Sequence, residues 1–127
     1  MKKEIKTEHA PKAIGPYSQA VQWGNLLFVS GQIPLDVNGQ IVGTTIEEQT
    51  HQVLANLKAI LEEAGSRVEN LLEVTVFLTD MASFDAFNRT YGQWLGEGVK
   101  PARAVVEVSA LPKGVLVEVM AKAYVDA

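Results

Sequence analysis

The feature that most constrains the fold is a pair of extended segments near the C-terminus, residues 102–109 and 116–125, joined through residues 111–114 (LPKG). Both segments alternate at period two, which is the pattern of β-strands, and the short connection predicts that they pair with each other. Successive side chains of a strand point to opposite faces, so Glu118 falls among apolar residues on one face of the second strand. Arg103 lies near the start of the first strand. We therefore predict that this arginine and this carboxylate meet at one site.

The remainder of the chain alternates predicted strands with two predicted helices. Apolar residues at 3.6-residue spacing indicate the first helix, and its start has the pattern of a capping box. The chain is predicted to begin with a polar arm over 1–16, followed by a hairpin of two strands, 17–23 and 26–30, joined at the Gly24-Asn25 turn. A helix from Thr45 to a stop at Gly65 and a strand over 71–79 come next. The second helix begins at Asp80 or Ser83 and stops near Gly96 or Gly98, and the two C-terminal strands follow it.

Both helices lie in crossover connections between strands, and right-handed crossovers place them on the same side of one mixed sheet. We predict a two-layer α+β fold, in which the other face of the sheet has no helix over it. Apolar patches of that kind usually mark interfaces, so we expect self-association. Alternation assigns these residues to the uncovered face: Glu73, Thr75, Phe77, Glu118, Met120 and Tyr124.

Length and composition restrict the class of protein. A chain of 127 residues with 47% hydrophobic and 20% charged residues is typical of a folded domain, and we expect a single domain over 1–127. Its 15 acidic and 11 basic residues give a net charge of −4, which disfavours nucleic acid as a partner. With no cysteine, and with His9 and His51 lacking partners at zinc-ligand spacing, no disulfide, cysteine nucleophile or metal site is predicted. No apolar run approaches the ~20 residues of a membrane span, so we expect a cytoplasmic protein without a membrane partner.

A few polar residues suggest chemistry by their type and position. Arg103 is either a surface arginine or a planar fork that binds a carboxylate through two hydrogen bonds. Glu118 is either solvated or a carboxyl group whose burial beside a ligand raises its pKa and suits it to proton transfer near neutral pH. Tyr17 is compatible with core packing or with a site hydroxyl, and Asn88 with a solvated amide. Residue chemistry alone leaves these alternatives open.

The chain also contains a series of short motifs in a fixed order. They are 14–20 (IGPYSQA), 30–34 (SGQIP), 74–80 (VTVFLTD), Asn88 with Tyr91, 101–103 (PAR), 106–108 (VEV), 111–113 (LPK) and 117–118 (VE). In this order, and over essentially the whole chain, they resemble the RidA (YjgF) family, the reactive-intermediate deaminases. The ordered combination is specific, although no single motif is.

The resemblance implies a chorismate-mutase-like α+β subunit that forms a homotrimer, with a central barrel of sheets and with sites in the clefts between chains. It implies a 2-iminobutanoate/2-iminopropanoate deaminase, which hydrolyses enamines and imines such as 2-aminoacrylate and 2-iminobutyrate to 2-oxo acids and ammonia. The family's reaction needs no cofactor. The implied partners are the small imine or 2-oxo acid and the other copies of the chain.

The same resemblance implies roles for residues of this chain. Arg103 would bind the substrate carboxylate, and Glu118 would position water and move protons, so these two are the expected catalytic residues. Five further residues match positions that the family places around the same cleft: Tyr17, Ser30, Gly31, Ile33 and Asn88. Of these, Gly31 would contribute its backbone groups. Many members have a cysteine where this chain has Val105, and the family site implies that this position acts through its backbone carbonyl.

Two other functions are compatible with the same residues. A ligand-binding or regulatory trimer would hold small carboxylates in the same clefts without turnover, for which Arg103 alone would suffice, whereas catalysis also requires Glu118. RNA cleavage or translation inhibition, an activity also attributed to the family, is disfavoured by the acidic balance and by the lack of a histidine or lysine dyad.

Overall fold

The computed structural model describes residues 1–126, which form a six-stranded mixed sheet with two α-helices on one of its faces. This arrangement is the predicted two-layer α+β fold. The elements are β1 (Lys3–Ile5), β2 (Ala20–Trp23), β3 (Leu26–Gln32), α1 (Ile46–Glu63), β4 (Leu71–Leu78), α2 (Phe84–Leu95), β5 (Ala102–Glu107) and β6 (Val117–Tyr124).

The order of strands across the sheet is β1-β2-β3-β6-β4-β5. β6 is antiparallel to both β3 and β4, and β5 runs parallel to β4 at the edge of the sheet. The predicted pairing of the two C-terminal strands is therefore wrong, because β4 lies between them. Alternation along β6 showed that one of its faces is buried, but it carried no information on which strands would lie at its two sides.

The N-terminal third of the chain agrees with the prediction in part. β2 and β3 form the expected hairpin, with Trp23 opposite Leu26 across the Gly24-Asn25 turn. The strand begins at Ala20 rather than at Tyr17. The arm over 1–16 contains a short strand that the sequence analysis missed, and this strand pairs antiparallel with β2.

Side-chain hydrogen bonds to free backbone N–H groups cap the start of α1 and the 3₁₀ turn before α2, whereas Ser83, the N-cap residue of α2 itself, makes no such bond. At α1 the predicted capping box is confirmed: the Glu48 amide donates to Thr45 Oγ1 at 3.2 Å, and the Thr45 amide donates to Glu48 Oε1 at 3.1 Å. The backbone N–H groups of Thr44 and Thr45 that donate to the carboxylate lower the pKa of Glu48. Of the two caps considered for the second helix, Asp80 accepts from the Ala82 amide at 2.9 Å, and a single 3₁₀ turn then leads into α2.

The hydrophobic core lies between the two helices and the covered face of the sheet. Val74, Val76 and Leu78 of β4 point into it and are fully buried, as are Val117 and Val119 of β6. The residues between them point to the opposite face, which is open in the single chain. The prediction for that face is confirmed, since none of its assigned residues is buried. Leu26 and Phe28 of β3 extend the same open surface, with 42% and 38% of their area exposed.

Candidate functional site

The end of β3 and the start of β6 meet at Gly31 and Glu118. The β3–β6 register is irregular between Val29 and Gln32, so Gly31 sits in a bulge of the strand. A Cβ atom at residue 31 would lie 2.9 Å from Cδ of Glu118 and still closer to one of its carboxylate oxygens. The carboxyl group of Glu118 therefore occupies the space that any other residue at position 31 would fill.

Glu118 lies on the open face of the sheet, opposite Phe77 of β4. Within residues 1–126 no basic side chain forms an ion pair with it. Burial raises the pKa of Glu118 above its usual value, because desolvation penalises the charged form. A carboxyl group of this kind accepts and returns a proton closer to neutral pH than a solvated glutamate does.

The loops around Gly31 bring three more of the predicted residues to this location. Tyr17 and Ile33 line one small cleft together with Gly31. The Ile14 amide donates to the Tyr17 hydroxyl at 3.2 Å, and 45% of the Tyr17 surface is exposed. The Ser30 hydroxyl donates to the Ser18 carbonyl at 2.6 Å, which ties β3 to the loop that carries Tyr17. Tyr17, Ser30, Gly31, Ile33 and Glu118 are here called the Glu118 cluster.

The remaining predicted residues lie on β5 and α2. Arg103 Nη1 donates to Asn88 Oδ1 at 2.7 Å. Its guanidinium carbon lies 5.3 Å from the ring centroid of Tyr91 and 5.8 Å from that of Phe84. We call Phe84, Asn88, Tyr91 and Arg103 the Arg103 cluster.

Val105 also lies on β5, in register with Val76. Its side chain is half-buried and packs against the hydrophobic core. A contribution from this residue to a ligand would therefore come from its backbone at the sheet edge.

The two clusters lie on opposite faces of the sheet in one chain. Arg103 is in register with Val74, whose side chain lies under the helices, whereas Glu118 is in register with Phe77 on the open face. Residues 74 and 77 are separated by about 10 Å along β4, since a strand rises ~3.3 Å per residue. The expectation that Arg103 and Glu118 lie on neighbouring strands is wrong, and within one chain the two residues do not meet. A molecule of a few atoms cannot contact both residues of the same chain.

Three amides on α1 support the Glu118 cluster, and the sequence analysis missed them. Asn56 Nδ2 donates to the carbonyls of Ile33 and Leu35 at 3.2 and 3.0 Å. Gln49 Oε1 accepts from the Leu116 amide at 2.8 Å. Gln52 Nε2 donates to Leu35 O and to Asn56 Oδ1 at 3.2 and 2.9 Å. These bonds attach the segment after Gly31 and the segment before Glu118 to one rigid helix.

A signal for these amides was present in the sequence. Gln49 and Asn56 are seven residues apart and lie on the apolar stripe of α1, where Val53 and Ile60 also lie. Buried amides in such a stripe are normally hydrogen-bonded to backbone groups of a packed loop. The interruption of the stripe could therefore have indicated that a loop is anchored there.

Within residues 1–126 no group of three or more His, Cys, Asp or Glu side chains is placed to hold a metal ion. His9 and His51 are both exposed. None of the helices over the same residues combines the length and the apolar character that crossing a membrane requires.

Comparisons with known proteins cover nearly the whole chain. The family model described as endoribonuclease L-PSP matches residues 7–125. A RutC family protein of Pyrococcus horikoshii is 55% identical over 125 residues, which are 98% of this chain and 98% of the relative.

Two solved structures extend the comparison to the fold. YyfA of Yersinia pestis, from the conserved Rid protein family, has a TM-score of 0.96 at 44% identity and covers 98% of this chain and 100% of its own. TdcF of E. coli, solved with bound serine, has a TM-score of 0.93 at 39% identity, over 98% of this chain and 99% of its own. The predicted chorismate-mutase-like α+β fold of the subunit is thus confirmed.

Proposed function

The chain belongs to the endoribonuclease L-PSP family, which includes the Rid and RutC proteins, as its motifs predicted, and we propose that it is an imine and enamine deaminase. Its substrates are small 2-imino acids and their enamine tautomers, such as 2-iminobutyrate and 2-aminoacrylate. Its products are the corresponding 2-oxo acid and ammonia.

One observation carries the proposal. Arg103, whose side chain is hydrogen-bonded to Asn88 and suits a carboxylate, and the half-buried Glu118, which suits proton transfer, occur in one small chain but on opposite faces of its sheet. The two groups can act on one small molecule only if they come from different copies of the chain. We therefore propose a site in the cleft between two subunits, with the Arg103 cluster of one facing the Glu118 cluster of the next.

A closed ring of three copies meets this requirement. A heterologous, head-to-tail contact repeats around a rotation axis, so every subunit gives Arg103 to one neighbour and Glu118 to the other. The open face of the sheet has half-exposed Phe28, Met120 and Tyr124, an apolar surface of the kind that association covers. The proposed assembly is a homotrimer in which these faces line a central barrel.

The chemistry needs orientation and proton transfer more than a strong nucleophile. The enamine takes a proton at carbon to become the imine, and water then adds across the C=N bond to form a carbinolamine. Proton transfer from oxygen to nitrogen allows the C–N bond to break, which releases ammonia and leaves the 2-oxo acid. Arg103 holds the carboxylate through parallel N–H donors, and Glu118 accepts and returns the water proton. General acid-base catalysis of this kind is typically worth about 10²- to 10⁴-fold.

The test is the release of 2-oxobutyrate and ammonia from 2-iminobutyrate generated in situ by an amino-acid oxidase, measured with and without the purified protein. We expect acceleration by the wild type and none by Arg103→Ala. Glu118→Gln should also fail to turn over substrate while still binding 2-oxobutyrate, because the carboxylate contact is intact. Normal turnover by Arg103→Ala would remove the assignment.

The first competing function is a regulatory trimer that binds small carboxylates without turnover. The bound serine of the TdcF structure favours it, since serine has a carboxylate and no imine. Binding of 2-oxobutyrate that depends on Arg103, with no acceleration of imine hydrolysis by the wild type, would select this function.

The second competing function is RNA cleavage, which the family description names. A net charge of −4 disfavours a phosphate backbone as partner. RNA binding that weakens steeply with salt, together with cleavage that is lost in Glu118→Gln, would select it instead.

A further inference from the structure

We propose that Tyr91 and Phe84 are positioning residues that orient the Arg103 guanidinium for a substrate carboxylate, and that the Tyr91 ring, rather than its hydroxyl, has this role. The inference rests on the proposed function, in which Arg103 binds the carboxylate. It assigns a task to two aromatic residues that the reaction itself does not use.

Three side chains of α2 contact the guanidinium. Asn88 accepts from Nη1 at 2.7 Å, and the two rings lie within 5.8 Å of the guanidinium carbon. These distances fall in the range of cation–π attraction, which extends to about 6 Å from a ring centroid. Arginine has five N–H donors in a fixed plane, and Asn88 is the only side-chain hydrogen-bond partner of Arg103 among residues 1–126. The other donors are free to meet a ligand.

The Tyr91 ring is itself held rigidly. It stacks on Phe87 at 5.4 Å between centroids and on Trp94 at 6.4 Å, and only 5% of the residue is exposed. A long arginine side chain on an edge strand loses several rotatable bonds of freedom when it binds a ligand. A fixed aromatic surface beneath the guanidinium reduces that loss before the ligand arrives, which is preorganisation.

The hydroxyl of Tyr91 does not explain its position. It is buried and has no hydrogen-bond partner within the described part of the chain. Burial raises the pKa of Tyr91, and the charge of Arg103 acts in the opposite direction, so the group stays a neutral phenol in the physiological range. The ring is the part of Tyr91 that Arg103 contacts.

The experiment compares Tyr91→Leu, which removes the ring, with Tyr91→Phe, which keeps it. Phe87→Leu is the matched control, because it deletes a buried aromatic residue of the same stack that has no contact with Arg103 among those described. We expect Tyr91→Leu to raise KM for 2-iminobutyrate and Kd for 2-oxobutyrate by about 2- to 5-fold with kcat nearly unchanged, the effect of one exposed cation–π contact. Tyr91→Phe should match the wild type, and Phe87→Leu, which weakens the support of the Tyr91 ring but keeps the ring itself, should lower stability and raise KM less than Tyr91→Leu does.

A second readout does not depend on activity. The Nε–Hε resonance of Arg103, assigned by its loss in Arg103→Ala, should carry a ring-current shift that Tyr91→Leu removes and Phe87→Leu retains. An unchanged resonance in Tyr91→Leu overturns the inference whatever the protein turns over. Equal loss of binding in Tyr91→Phe and Tyr91→Leu also overturns it, because the hydroxyl would then be the active part. If the wild type neither binds 2-oxobutyrate nor hydrolyses imines, the proposed function fails, and the resonance alone decides the orientation of Arg103.

Discussion

The carboxyl group of Glu118 lies directly against the Cα atom of Gly31. Its Cδ is 2.9 Å from the position that a Cβ atom at residue 31 would take. Gly31 is not one of the glycines with a positive φ angle. A glycine is therefore needed here for space rather than for its backbone conformation. The missing side chain at one position thus sets where the carboxyl group at the other can lie.

Gly31→Ala should therefore impair turnover while leaving the fold intact. The new methyl group meets the flexible end of the Glu118 side chain, which moves aside at small energetic cost. Displacing Glu118, the proposed general acid-base group, should lower kcat by at least about 10-fold, a fraction of the 10²- to 10⁴-fold that such groups supply. Gly92→Ala is the control, because nothing lies within 4 Å of the added atom and alanine favours a helix. Equal kcat in the two variants would show that the position of Glu118 is unimportant.

Mixing two inactive variants should restore activity if each site draws on two chains. In a head-to-tail trimer, every mixed ring of Arg103→Ala and Glu118→Gln subunits contains one site with both groups intact. Unfolding and refolding the variants together in equal amounts should therefore recover about a quarter of the wild-type rate. In the control mixture, one of the two single variants is replaced by the double variant Arg103→Ala/Glu118→Gln. This mixture should recover no activity, because no ring in it contains a site with both groups intact. Absence of recovery from well-formed mixed trimers would contradict a site that draws Arg103 from one chain and Glu118 from another.

The stability of the protein should depend on pH through Glu118. Burial raises its folded-state pKa above the ordinary value of 4.5, so the folded state binds more protons than the unfolded state between those two values. The free energy of unfolding therefore falls as pH rises through this window, and the destabilising effect of the charged group is complete above it. Glu118→Gln should be more stable than the wild type near neutral pH and equal to it below about pH 4.

Urea unfolding of Glu118→Gln at a series of pH values and one protein concentration measures this difference. Glu73→Gln is the control, since Glu73 pairs with Lys122 at 3.0 Å on the same face and should show no gain at neutral pH. A stability gain for Glu118→Gln that is the same at every pH would contradict the assignment to a buried charge.

Gln19 should be the residue that holds the N-terminal arm on the domain. Its buried side chain accepts from the Thr7 amide at 2.7 Å and donates to the carbonyls of Thr7, Ala10 and Pro11 at 3.1, 3.4 and 2.8 Å. Gln19→Ala leaves those groups without partners and should lower the free energy of unfolding by about 1–3 kcal/mol. The rate of hydrogen exchange at the Thr7 amide should be higher in Gln19→Ala than in the wild type.

Gln22→Ala provides the comparison for Gln19→Ala. The Gln22 side chain makes one exposed bond, to the Gly24 carbonyl at 3.1 Å. We expect Gln22→Ala to change the free energy of unfolding by less than about 0.5 kcal/mol, as surface substitutions usually do. If the two variants unfold alike, the arm is held by other contacts.

Local elements could be predicted because their signals are local. Three examples are the capping box of Thr45 and Glu48, the stop at Gly65 and the alternation along β4. Each of these signals depends on residues that are close together in the sequence. Parity along β6 also put Glu118 on the open face, as the structure shows. β1 was missed because three residues that pair only through β2 have too short a pattern to identify.

The sequence by itself determined the two-layer fold, the residues of β4 and β6 that lie on the open face and, through its ordered motifs, the family. Only the tertiary structure decided that β4 lies between β5 and β6, and hence that Arg103 and Glu118 point away from each other within one chain. The physical reason is that side-chain alternation follows from backbone geometry at each residue, whereas strand order depends on which long connections close with the best burial of the whole sheet. The contact of Glu118 with Gly31 belongs to the same category, because it joins residues 87 positions apart that no local pattern relates.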